Sequence, residues 1–400
     1  MITIRQTCAV CESARLETVL DLPGLPLTGR FSRAPWMIRP KGFDQKFLFC
    51  PRCQHGQLAF QIHPDELYNN QYYFRTSTSE NARRGTAFFL NTLNEFFPQR
   101  KFQCAWDVGC NDLFLLKQLK SNVRTRVGID PIWKVKEHQD AEFSDDGIKV
   151  IAQCVETMNW DQHLTVVPDL VIFRHTLEHI YNPKTVLENI FQRASEDAIF
   201  AIEVPSLDAL LKRLRFDQIF HEHLQYFSWE SLRRLIQEIG GTYLGCRENY
   251  HDWGAVCVLF TKQKNRAQAA SAFETNPETR TPGRIKELYA IFRRQMSVTN
   301  EILKSFPGSK LYGYGASNML PTLAYHLGND LSCLKSVLDD DSTKDGLYYG
   351  NLPLQIKRPE SVGNLKDTDI FLTAIDQAQP ILKRLLENRP RHIIYPLVII

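Results

Sequence analysis

The stretch Trp106-Asp107-Val108-Gly109-Cys110-Asn111-Asp112 constrains this chain more than any other. The apolar run from Cys104 to Val108 reads as a short buried strand. Gly109 permits a sharp turn, and Leu113-Phe114-Leu115-Leu116 begins a helical pattern. Strand, glycine turn and helix open a nucleotide-binding α/β unit. A second apolar run, Arg126 to Ile129, ends in Asp130. An acid at that strand end accepts the ribose hydroxyls of an adenosine. The turn lacks the full G-x-G-x-x-G of a dinucleotide site. One glycine with an acid at each strand end fits S-adenosylmethionine better than NAD. Asp107, Gly109, Asn111 and Asp130 are the cofactor-binding candidates; the alternative is a turn with no ligand.

A chain of 400 residues is too long for one ordinary core, so two or three domains are expected. Apolar content of 43% and charged content of 23% are those of a globular chain. A net charge of +3 is too small to argue for nucleic acid or an anionic membrane. The first residues, Met1-Ile-Thr-Ile-Arg5, show no apolar signal region, and no apolar run approaches the roughly 20 residues of a membrane helix. Ten cysteines without a signal region read as reduced thiols, so a cytoplasmic location is expected.

Four of those cysteines form two C-x2-C knuckles, Cys8/Cys11 and Cys50/Cys53. Two close thiolate pairs match a closed, tetrahedral, structural zinc site. The alternatives are four buried free thiols or a catalytic metal. His55 reads as a bystander. The segment between the knuckles carries Pro23, Gly24, Pro26, Gly29, Pro35, Pro40 and Gly42, which predicts a loop-rich lobe stapled by the metal. Tyr72 to Ser79 is either an N-capping Ser/Thr cluster or a loop over a ligand, ahead of a helix from Asn81 to Phe97.

Further strands are expected at 149–152, 170–173 and 198–204. Ligands of doubly wound sheets lie outside the carboxyl ends of the strands. That rule gathers Gly109, Asp130, the run His175 to His179, and Glu203 around one cleft. Phe220-His221-Glu222-His223 is a poor helix or strand face. Histidine takes a proton near pH 7, and an adjacent carboxylate can orient it. An exposed polar turn is the alternative. A metal here reads as weaker, since no third ligand lies nearby at helix spacing. Ser228 should cap a helix through Ile239, with strands at 243–246 and 253–260 after it. A bridging helix within 265–305 leads to a second strand-Gly-turn-helix-strand-acid unit around Gly315 and Asp339.

Taken together, the four-cysteine lobe, Asp-Val-Gly-Cys-Asn-Asp, Leu-Glu-His-Ile with Asn-Pro, His-Glu-His-Leu with Tyr-Phe-Ser, and the late Gly-Tyr-Gly-Ala-Ser-Asn resemble the S-adenosylmethionine-dependent sugar C-methyltransferases of deoxysugar pathways. The resemblance covers nearly all of the chain. It implies an α/β fold: a class I methyltransferase domain (Rossmann-like doubly wound sheet), an N-terminal zinc-binding lobe and a C-terminal Rossmann-like domain. The corresponding divisions here are 1–70, 71–262, 263–306 as a helical linker, and 307–400. It implies methylation at C3 of a nucleotide-linked 4-keto-6-deoxysugar, with His223 as base, Glu222 beside it and His179 as donor to the enolate oxygen. His175 joins the cofactor candidates, and the zinc stays structural. Neither nucleic acid nor membrane is expected as a partner. The oligomeric state is left open, a monomer being admissible. The chain departs from the family's pattern at Phe220 and Phe74, where tyrosines are usual, and at Leu113, where glycine is usual. Two other readings stand beside this one: an O- or N-methyltransferase on a nucleotide-sugar, and a catalytically silent binding protein of the same fold.

Overall fold

A computed structural model of the chain describes residues 3–35, 42–63, 67, 75–135, 147–163, 166–251, 254–264, 280–306, 308 and 310–396. The N-terminal lobe is a β-structure rather than the loop-rich segment that its proline and glycine content predicts. Strands β1 (Glu17–Leu25) and β2 (Phe43–Cys50) pair antiparallel, and β3 (His55–Leu58) follows β2 through the second cysteine knuckle. Pro23 and Gly24 do not end β1, because the register shifts between Leu22 and Leu25 and Gly24 takes φ +63°. A bulge of this kind absorbs a residue pair that cannot join the ladder. The fourth strand comes from far along the chain: Gln225–Tyr226 pairs with β3. The segment that carries His223 is thus anchored to the lobe's sheet.

Helix α1 (Glu80–Phe96) is capped by Ser79, whose side chain accepts from the Ala82 amide. The central domain follows, with β4 (Phe102–Val108), α2 (Phe114–Gln118), β5 (Val123–Ile129), β6 (Ile148–Ile151), β7 (Leu170–Arg174), α3 (Pro183–Arg193), β8 (Ile199–Pro205), α4 (Trp229–Glu238), β9 (Thr242–Asn249) and β10 (Ala255–Thr261). Its seven strands lie in the order β9-β10-β8-β7-β4-β5-β6. All pairings are parallel except those of β10, which runs antiparallel to both neighbours. The chain leaves β4 toward one sheet edge and returns at β7 toward the other. The carboxyl ends of β4 and β7 therefore form the topological switch point where such sheets take their ligands. The strands are nearly continuous apolar runs because both faces are covered. Leu170, Val171, Ile172 and Phe173 are all fully buried, and Trp106 stacks on Trp160 with centroids 5.9 Å apart. Pro183 sits in the first turn of α3, where its missing N–H costs nothing. Ser228 and Ser231 cap α4 reciprocally.

Beyond residues 265–279, which lie outside the described residues, α5 (Pro282–Ser305) leads to the third unit. This unit holds β11 (Leu311–Tyr314), α6 (Leu320–Leu327), β12 (Val337–Leu338), β13 (Ile356–Lys357), β14 (Asp369–Leu372) and β15 (His392–Ile394) in one parallel sheet of order β13-β12-β11-β14-β15. One hydrophobic core runs from the lobe (Phe47, Phe49) through α5 (Phe292, Met296) into the C-terminal unit (Leu320, Leu323). Phe31–Ser32 also pairs with Tyr348–Tyr349. Among the described residues no helix is long and apolar enough to cross a membrane.

Candidate active site and zinc centre

The four knuckle cysteines are buried and converge, with all four Sγ atoms within 4.8 Å of one another. Cys8 Sγ lies 3.4 Å from Cys53 Sγ, and Cys11 Sγ lies 3.6 Å from Cys50 Sγ. These gaps are too long for a disulfide, about 2.05 Å. They approach the edge of a tetrahedron built on zinc–sulfur bonds of about 2.3 Å, which is about 3.8 Å. The donor set therefore fits a structural zinc. His55 is no ligand. It is fully buried in β3, its Nε2 lies 3.0 Å from Gln225 Oε1, and burial pulls its pKa down to about 4.

At the switch point, Gly109 takes φ +81° and its amide donates to the Ile129 carbonyl at 2.7 Å. A Cβ here would stand 2.8 Å from Thr176 Cβ, so β7's exit loop closes directly over the glycine. Three other residues at this cleft hold left-handed backbone without being glycine: Asn111 (φ 48°), Leu113 (φ 66°) and His175 (φ 52°). Such strain, about 1–3 kcal/mol each, concentrates at ligand sites. The loop demands positive φ at Leu113, a conformation that favours glycine, and this chain meets it with a buried leucine. Asp130 Oδ2 accepts from the Asn111 amide at 2.9 Å and Oδ1 from the Ile132 amide at 3.0 Å. A carboxylate has about four acceptor positions, so capacity for ribose hydroxyls remains. Trp133 Nε1 donates to the Asn111 carbonyl at 2.8 Å, a buttress that the sequence reading missed. Asp107 is buried at the end of β4. Burial pushes its pKa up to about 7, with Arg174 opposing and Asp130 adding to the shift. His175 lies between two carboxylates, Nδ1 3.4 Å from Glu178 Oε1 and Nε2 3.5 Å from Glu203 Oε1. Of the proposed ligand-covering loop, Tyr72 to Phe74 lie outside the described residues. Its described end meets the turn that follows Gly109, the Ser77 amide donating to Asp112 Oδ2 at 2.9 Å.

Gly109→Ala should fail on two counts, positive φ and overlap with Thr176. The expected result is at least a tenfold loss of S-adenosylmethionine affinity and about 2 kcal/mol of stability. Titration calorimetry and a thermal melt check it. Wild-type values in both would mean that the loop relaxes freely.

The His221–His223 segment is neither an exposed turn nor flat. His221 is turned into the lobe: its Nε2 lies 2.9 Å from the Leu25 carbonyl and its Nδ1 3.4 Å from Gln45 Nε2. Burial lowers its pKa to about 4. His223 faces the other way. Its ring lies 4.8 Å from that of His179, edge to face, and 4.2 Å from Phe220. Burial, then the charges of His179 and His175, hold its pKa well below the ordinary value. Beside it is a cavity of about 30 Å³ lined by Ser206, Arg215, Gln218 and Tyr226, enough for a water. Glu222 Oε1 accepts from Thr28 Oγ1 at 2.8 Å, while Oε2 is buried without a hydrogen-bond partner. Burial pushes Glu222 up to about 7, opposed by the Thr28 hydrogen bond. Thr28 comes from the zinc lobe, and no local signal in the sequence marks it. His179 Nδ1 donates to the Glu222 carbonyl at 2.7 Å. In the neutral ring that donation puts the lone pair on Nε2. Donation from Nε2 to an enolate would need a second proton on the ring.

Two family models match this chain. One described as "Methyltransferase domain" covers residues 80–244, and one described as "Putative zinc binding domain" covers residues 8–68. The chain is an S-adenosylmethionine-dependent methyltransferase with a zinc-binding N-terminal domain. It is a homologue of C-methyltransferase NovU of Streptomyces niveus, 24% identical over 382 residues, which span 88% of this chain and 86% of that protein. Solved structures are more distant. The N-methyltransferase NodS of Bradyrhizobium japonicum, in complex with S-adenosyl-L-homocysteine, matches 46% of this chain and 88% of its own at 12% identity and a TM-score of 0.34. The 1,6-didemethyltoxoflavin-N1-methyltransferase of Burkholderia thailandensis matches 46% and 79% at 13% identity and a TM-score of 0.34.

Proposed function

We propose that the chain methylates C3 of a nucleotide-linked 4-keto-6-deoxysugar, using a histidine to form the enolate. The observation that carries this reading is the His223–His179 pair, a buried ring against a half-buried one, beside Glu222. A relative named as a C-methyltransferase supports carbon as the methyl acceptor. The acceptor must first become nucleophilic, and a C4 ketone makes the C3 proton removable. His223 takes that proton, and the electron pair of the C3–H bond moves into the enolate. Bound S-adenosylmethionine supplies an electrophilic methyl, which leaves its sulfur as the new carbon–carbon bond forms. His223 suits the task because burial keeps it neutral at pH 7, with a lone pair to offer. Asp130, Asn111 and the Gly109 turn hold the cofactor, with Asp107 and His175 flanking them. Glu222, its carboxyl pushed up to about 7, keeps a protonated fraction near pH 7, and in that form it donates toward the sugar or its keto oxygen. His179 is the donor to the enolate oxygen in this reading, a role that needs a proton on Nε2 while Nδ1 donates to the Glu222 carbonyl.

The test is deuterium wash-in at C3 in the absence of methyl donor. Exchange, followed by a one-methylene mass gain when donor is added, is the expected pair of results. Methyl transfer without any exchange capability would redirect the assignment to an oxygen or nitrogen acceptor.

A further inference from the structure

We propose that Glu178, His179 and His223 form a second, open site for a divalent transition cation, distinct from the four-cysteine zinc. The sequence speaks against a metal at His221-Glu222-His223, because no third ligand sits nearby at helix spacing. The fold supplies one from elsewhere. The turn after β7 brings Glu178 and His179 against His223, so that one ligand atom from each lies within 4.8 Å of the others. Two imidazoles and one carboxylate are the donor set of open zinc, iron, cobalt and nickel sites, which keep positions for water or substrate. The cysteine site, by contrast, is closed.

Two further observations point the same way. Glu178 is only 1% exposed, yet neither of its carboxylate oxygens has a hydrogen-bond partner; His175 Nδ1 lies 3.4 Å from Oε1. A buried carboxylate in that state is costly unless a cation completes it. His179 is already oriented as metal-binding histidines are: Nδ1 is held by the Glu222 carbonyl at 2.7 Å, which directs Nε2 to the ligand position.

The site shares His223 with the proposed reaction, and a coordinated His223 has no lone pair for the C3 proton. Cation occupancy therefore blocks enolate formation, and substrate and cation compete.

The experiment uses full-length protein with its cysteine zinc in place and free of S-adenosylmethionine, titrated with Co²⁺. The expected result is one cobalt per chain beyond the retained zinc, with a d–d spectrum of nitrogen and oxygen ligands and without thiolate charge transfer. Glu178→Gln and His223→Asn should each weaken binding by about 100-fold or more, the effect expected when a ligand is removed rather than its outer-shell partner. Co²⁺ should also inhibit C3 exchange in the wild type, and less so in Glu178→Gln at the same cobalt concentration. No extra cobalt, or equal binding by both variants and wild type, overturns the site. If cobalt binds but accelerates exchange, the site stands and the histidine-base reading falls. If cobalt fails to bind while His223→Asn abolishes exchange, the base stands and the site falls.

Discussion

Replacing Cys50 with serine, or stripping the metal with a strong chelator, is expected to unfold the N-terminal lobe and to disable the active site with it. A structural zinc contributes about 10 kcal/mol or more to a small domain, comparable with the whole stability of a typical fold. The lobe has little to replace it. Its knuckles hold the turn into β3, where the Ala9 amide donates to Gln57 Oε1 at 2.9 Å and Gln57 Nε2 donates to the Thr7 carbonyl at 3.1 Å. Strand β3 in turn pairs with Gln225–Tyr226, two residues past His223, and Thr28 of the lobe holds Glu222. Loss of zinc therefore reaches the proposed base through one sheet and one hydrogen bond. Metal analysis should find about one tightly held zinc per chain. Circular dichroism and limited proteolysis should show the lobe opening as that zinc leaves. A metal-free preparation that keeps its melting temperature and its turnover would rule this out.

The central sheet is legible in the sequence because its signals are local. Buried parallel strands are apolar runs, and Gly109 and Asp130 mark the ends of two of them. The turn at Gly109 is also local, since positive φ and the approach of Thr176 both act on one residue. What escapes is long-range. Pro23-Gly24 reads as a loop but is a bulge inside β1, because the partner strand that sustains the ladder is about 20 residues away. Gln225–Tyr226 follows the His-Glu-His run closely, yet its hydrogen-bond partners lie in the zinc lobe. Thr28 and Trp133 carry no motif, and only the folded chain brings them to Glu222 and Asn111. Glu178 is visible beside His179, but its burial without hydrogen-bond partners is a property of packing.

His223→Asn should lower C3 exchange and turnover by roughly 100- to 10,000-fold, the usual worth of a positioned acid–base group. Asparagine keeps polarity and much of the shape but has no titratable nitrogen. Cofactor affinity should barely move, because the Gly109 turn and Asp130 lie on other loops. His221→Asn is the first comparison. That ring is turned into the lobe against Leu25 and Gln45, so its loss should cost stability and little exchange. His179→Asn is the second, since the Glu222 carbonyl orients its ring as a general base is oriented. Abolished exchange in His179→Asn with exchange intact in His223→Asn would move the base to His179. The pH profile separates the groups further. A base works when neutral, so the rate falls as pH drops through its pKa. Burial depresses His223, so the rate should hold steady as pH passes the ordinary histidine value of about 6.5 and fall only at more acidic pH. A limb centred near pH 7 that vanishes in Glu222→Gln would instead report Glu222, whose carboxyl is pushed up to about 7. Loss of the acidic limb in His223→Asn, with the limb retained in His221→Asn, is the result that assigns the proton to His223.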